Sequence, residues 1–113
     1  MVPSDILLVA SLPLLGTGKP DYVAATTLAK EKLAAGEHDL LILDEMTYAV
    51  TFGWIDVNDV VTAVRDRAPG TNVVITGRDA PEELIAIADT VTEMRKVKHA
   101  FDSGIKAIKG IEY

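Results

Sequence analysis

The sequence predicts an α/β fold in which a parallel sheet is flanked by helices, and three observations point that way. Short apolar runs rich in Leu, Ile and Val recur as "ILLVA" (Ile6 to Ala10), "LLIL" (Leu40 to Leu43) and "NVVIT" (Asn72 to Thr76). None alternates with polar residues, which is the pattern of strands covered on both faces by helix layers. The segments between them have helical composition or spacing, so strand and helix alternate as they do in βαβ units. At 113 residues the chain has the size of one domain, 1–113, with a single core.

Taken in order, the first run leads into "SLPLLGTGKP" (Ser11 to Pro20), which has the position of a phosphate-cradling loop. Such a loop needs G-x-x-x-x-G-K-[ST], in which glycine lets the backbone wrap the phosphates and a hydroxyl reaches Mg²⁺. Gly18-Lys19 is present, but Pro13 stands where the first glycine belongs and Pro20 replaces the hydroxyl residue. Proline has no amide hydrogen to offer and its fixed φ suits a first helical turn, so this stretch reads as a loop entering a helix. The helix is expected from Asp21 to Ala35, rich in Ala, Leu, Lys and Glu, with Gly36 in the left-handed position that ends it.

After the strand at Leu40 to Leu43, a second helix is expected over Val57 to Arg67. Val57, Val60, Val61 and Val64 make one apolar stripe on it, Asp56 is its N-cap and Pro69-Gly70 ends it. The strand Asn72 to Thr76 follows. A third helix begins near Pro81, with Asp79 and Glu82 as a capping-box variant and Leu84, Ile85 and Ala88 on its buried face. "TVTEM" (Thr90 to Met94) reads as a short last strand.

Charge and composition remove several classes of function. Seventeen acidic against 11 basic residues give a net charge of −6 with no Lys/Arg cluster, so nucleic acid is not an expected partner. There is no cysteine for a disulfide or a thiolate metal site. The apolar stretch Ile6 to Leu15 is broken by Pro13, is far shorter than a membrane span and lacks a basic leader, so the expectation is a cytoplasmic protein without a membrane partner. The two histidines lie far apart and no Ser or Cys occupies a nucleophile elbow, which argues against a hydrolase triad.

Ligands of open α/β sheets gather at the carboxyl ends of the strands. In "LLILDEM" an apolar strand runs directly into Asp44 and Glu45, the form in which a carboxylate is held at a strand tip to ligate Mg²⁺ beside nucleotide phosphates. The competing reading makes Asp44 a cap of the helical turn that follows, with Glu45 at its positive end. In "VVITGRDAP" the chain leaves its strand through Thr76, Gly77 and Arg78. Gly77 permits a tight turn there, and the Arg78 guanidinium can pair with phosphate oxygens. Lys98, His99 and Asp102 lie close together near the end of the chain, while Tyr48, Phe52 and Trp54 are expected to fill core rather than hold a ligand ring.

The series "GEHDLLILDEMTYAV", "VVITGRDAPEELIAIADTVTEM" and "VKHAFDSGIKAIKGIEY" closely resembles the C-terminal part of ATP:corrinoid adenosyltransferases, the cob(I)alamin adenosyltransferase family built on the P-loop NTPase (RecA-like) fold. The likeness runs from about Asp21 to Tyr113, in order. It implies transfer of the 5′-deoxyadenosyl group of ATP to the cobalt of a reduced corrinoid, with Mg²⁺ as cofactor, triphosphate as leaving group and a homodimer as the assembly. It implies Asp44 and Glu45 as the metal side, Glu45 and Arg78 as catalytic groups, and Thr76, Gly77, Arg78, Lys98 and His99 as the nucleotide edge, with "GIEY" closing the frame. Members carry a phosphate loop upstream of everything matched here, so the expectation is a fold truncated at its N-terminus, with weak or no turnover alone. The alternative is a non-catalytic α/β module that self-associates.

Overall fold

A computed structural model describes residues 21–110. The expected strand at Ile6 to Ala10, the stretch 11–20 and residues 111–113 of the closing "GIEY" lie outside the described residues.

Helix α1 spans Tyr22–Ala35. Asp21, expected as the first helical residue, instead caps it, its Oδ1 accepting from the Ala24 amide at 3.0 Å, and Gly36 ends it at φ 67°, as expected from the sequence. Strand β1, Leu40–Leu43, follows, then a short helix α2, Met46–Thr51. Helix α3 spans Val57–Arg65, capped by Asp56 Oδ1 on the Asn58 amide at 2.8 Å. It is two residues shorter than expected because Asp66 already turns out of the helix, its amide closing the last turn on Thr62 O. Strand β2, Asn72–Ile75, pairs in parallel with β1, Leu40 opposite Asn72 and Leu43 opposite Ile75. The Thr76 amide extends the ladder with a 3.1 Å bond to Leu43 O.

The polar joints at the amino ends of the strands fix this register. Asn72 donates through its amide nitrogen at 2.8 Å and through Nδ2 at 3.0 Å to Asp39 O, and Thr71 Oγ1 donates to His38 O at 3.1 Å. Arg67 braces the turn from α3 to β2 by donating from Nε to Thr71 O and from a terminal nitrogen to Val64 O, both at 2.8 Å. Charged donors make stronger hydrogen bonds than neutral ones, which suits a turn entering a buried residue such as Thr71.

Leu33 of α1, Val60 and Val64 of α3 and Leu84 form the buried centre, with Leu41, Val73 and Ile75 packed against it from one face of the sheet. The valine stripe of α3 therefore does what its spacing requires. The other face is not covered among the described residues: Leu40, Ile42 and Val74 are 43%, 59% and 44% exposed. Among the described residues the expectation of strands covered on both faces is therefore met on one face. Unbroken apolar composition records that a strand can be buried on both faces, while the described helices cover only one.

Helix α4, Glu82–Ile87, is also placed differently in detail. Its N-cap is Pro81 with no side-chain bond, and Asp79 sits at φ 51°, so the capping box does not form. Leu84 and Ile87 face the core, whereas Ile85 and Ala88 are exposed. Thr90 to Met94 is not a strand but irregular chain, with no strand beside it among the described residues, and the segment 88–110 is exposed throughout, its one regular element a 3₁₀ turn at Ala100–Ser103. No helix among the described residues is long and apolar enough to cross a membrane.

Candidate functional site

Parallel pairing brings the exits of β1 and β2 to one rim, because Leu43 and Ile75 are register partners and the next residues are Asp44 and Thr76. There the two exits are stitched together. Thr76 Oγ1 donates to Asp44 Oδ1 at 2.5 Å and accepts from the Glu45 amide at 2.9 Å. Glu45 takes the left-handed conformation, φ 55°, which few residues other than glycine adopt without cost. That kink turns the chain straight from β1 into α2, for which Glu45 is the N-cap without a side-chain cap bond. Asp44 therefore does not cap the following turn. Its carboxylate is held by Thr76 and is otherwise exposed at the strand tip.

Gly77 leaves the second strand at φ 141°, a region open to glycine alone. It lies against Thr47 of α2, which is buried to 3% exposure and whose Oγ1 has no hydrogen-bond partner among the described residues. Thr47 was not singled out from the sequence; the only signal is its place two residues after the Asp44-Glu45 tip, where a side chain from the first helical turn meets the neighbouring exit. Arg78 follows, exposed and without a hydrogen bond or ion pair among the described residues. The structure thus joins Asp44, Glu45 and Thr76 by hydrogen bonds at one rim, with Gly77 and Arg78 following Thr76 along the chain.

It does not bring Lys98 and His99 to that rim by any hydrogen bond or ion pair among the described residues. Both are exposed in the segment after α4. His99 caps the 3₁₀ turn, its Nδ1 accepting from the Phe101 amide at 3.1 Å, and Lys96 pairs with Asp102 at 2.8 Å. The aromatic residues also depart from expectation. Tyr48, Phe52 and Trp54 stack in series, with ring centroids 6.0 and 5.1 Å apart, but Phe52 and Trp54 are 61% and 48% exposed and so do not fill core.

Among the described residues no group of three or more His, Cys, Asp or Glu side chains converges to hold a metal ion. Two successive carboxylates at a strand tip nonetheless fit Mg²⁺, a hard cation that keeps several waters and takes one or two carboxylates plus substrate phosphates rather than an all-protein cage. One oxygen of Asp44 is already engaged by Thr76, which leaves Oδ2 and the Glu45 carboxylate for such a role.

Comparison with known proteins agrees with the series of motifs. The family model described as ATP:corrinoid adenosyltransferase BtuR/CobO/CobP matches residues 18–113. A corrinoid adenosyltransferase of Escherichia coli K12 is 45% identical over 85 residues, 75% of this chain and 43% of that protein. One from Salmonella typhimurium is 43% identical over 84 residues, covering 74% of the chain and 43% of the relative. One from Pseudomonas aeruginosa is 43% identical over 90 residues, covering 80% and 44%. The chain thus matches less than half the length of these relatives. With a match that spans all of the described residues and both strand exits, the chain belongs to the ATP:corrinoid adenosyltransferase BtuR/CobO/CobP family.

Proposed function

We propose that this chain carries the metal and arginine side of a corrinoid adenosyltransferase site, acting on MgATP and a reduced corrinoid, on a P-loop type fold of which it represents the C-terminal part. One observation carries the reading: Asp44 and Glu45, at the exit of β1, are hydrogen-bonded to Thr76 at the exit of the adjacent parallel strand β2, and Arg78 follows Thr76 two residues on. Attack of a reduced cobalt centre on the ribose C5′ needs no nucleophile from the protein. The task left to the protein is to align the reactants and stabilise the departing triphosphate, which carboxylate-held Mg²⁺ and a guanidinium are suited to do. On this reading Asp44 and Glu45 hold the metal, Arg78 meets the phosphates, Gly77 lets the backbone approach, and Lys98 and His99 complete the edge.

Turnover by this chain alone is expected to be weak, because "PLLGTGKP" lacks the first glycine and the hydroxyl of a phosphate loop. The test supplies MgATP and chemically reduced corrinoid and follows the adenosylated product. Slow, Arg78-dependent formation, or MgATP binding that Arg78→Ala removes, fits the reading; enzyme-typical rates would reject the claim of weak turnover. A second reading, a self-associating non-catalytic module, draws on the exposed Leu40, Ile42 and Val74. Sedimentation of the chain with and without MgATP separates the two, since only the first makes nucleotide binding depend on Arg78.

A further inference from the structure

Resemblance assigns Thr76 to the nucleotide edge, but its hydrogen bonds say otherwise. A threonine hydroxyl has one proton and two lone pairs. The Glu45 amide can only donate, so Oγ1 accepts there at 2.9 Å; an ionised Asp44 carboxylate can only accept, so the single proton goes to Oδ1 at 2.5 Å. Phosphate oxygens are acceptors, and Thr76 has no proton left to give them. Both of its bonds instead act on neighbouring groups. One fixes the rotation of the Asp44 carboxylate, and the other holds the amide of Glu45, the residue whose left-handed backbone turns β1 into α2.

We propose that Thr76 is a positioning residue that orients Asp44 and the Glu45 kink toward a divalent cation, and that it does not itself contact the nucleotide. The inference rests on the proposed function for the identity of the cation site. Partners that orient a metal-ligating carboxylate typically change metal affinity by about 10–100-fold when removed. The hydroxyl should therefore matter for metal uptake more than for folding, since Thr76 is only half-buried.

The probe is Mn²⁺ with ATP, titrated by electron paramagnetic resonance against the whole chain and its variants. Thr76→Val, which replaces the hydroxyl by a methyl, is expected to weaken Mn²⁺ binding about tenfold or more, while Thr76→Ser retains it. In an Asp44→Ala background Thr76→Val should add no further loss, because Thr76 acts through Asp44. Hydrogen exchange supplies a reading without metal: the Glu45 amide should lose protection in Thr76→Val and keep it in Thr76→Ser. Thr76→Ala replaces Thr76→Val if the latter does not fold. Unchanged Mn²⁺ affinity in the hydroxyl-free variant, or a loss that adds fully to that of Asp44→Ala, overturns the inference and leaves the proposed function standing. If the unsubstituted chain takes up no Mn²⁺ with ATP, the proposed function fails and the inference with it.

Discussion

Gly77 and Thr47 pack so closely that a Cβ on Gly77 would overlap Thr47 Oγ1 and stand 2.9 Å from Thr47 Cβ. The exit of β2 is thereby pressed onto the first turn of α2, and any side chain at position 77 must displace one of them.

Gly77→Ala is accordingly expected to destabilise the chain by about 2–4 kcal/mol, combining steric overlap with a φ of 141° that L-residues avoid. Denaturant titration measures it. Adding Thr47→Ala should recover only part of the loss, because the Cβ of residue 47 and the backbone strain both remain. A Gly77→Ala variant as stable as the parent would show that the two exits are not in contact.

Thr47→Val tests the unpaired hydroxyl directly. Thr47 Oγ1 is buried without a partner among the described residues, and an unsatisfied buried hydroxyl costs about 1–3 kcal/mol. Exchanging it for a methyl should leave the urea midpoint unchanged or raise it, and a clear fall would mean that the hydroxyl is bonded in solution.

The caps make a contrast. Asp21→Ala and Asp56→Ala each remove a side-chain bond to a helix amide and should cost about 1 kcal/mol in a thermal or urea melt. Asp79→Gly should cost nothing or stabilise, since Asp79 caps no helix and sits at φ 51°. A loss at position 79 as large as that at position 56 would restore the capping box that the structure lacks.

Arg78→Ala should leave the stability within about 0.5 kcal/mol of the parent, as expected for an exposed side chain without a hydrogen bond or ion pair among the described residues. The rise in melting temperature produced by MgATP should vanish in the same variant. Arg78→Lys should restore it only in part, because an ammonium lacks the planar fork that engages two phosphate oxygens at once.

Much of the fold was legible because it follows from local chemistry. Gly36 and Asp56 sit where a left-handed terminus and a cap were expected, and both described strands begin where their apolar runs begin. The capping box at Asp79 and the strand at Thr90 to Met94 failed because each needs a partner that residue type alone does not guarantee: a helix capped at position 79 rather than two positions later at Pro81, and a neighbouring strand, which the described residues do not supply. The aromatic run was misplaced for a related reason. Ring size favours burial in general, yet Phe52 and Trp54 follow a helix of six residues that ends at the surface.

At the site, the sequence by itself determined which groups stand at the strand tips, since an apolar run must stop where charge begins; that placed Asp44, Glu45 and Arg78 and identified the family. Only the tertiary structure decided how those tips relate. The parallel register of Leu43 with Ile75 joins Asp44 to Thr76 and sets Gly77 against Thr47. Contacts between residues some thirty positions apart depend on the register between two strands, and no local pattern in either strand encodes that register.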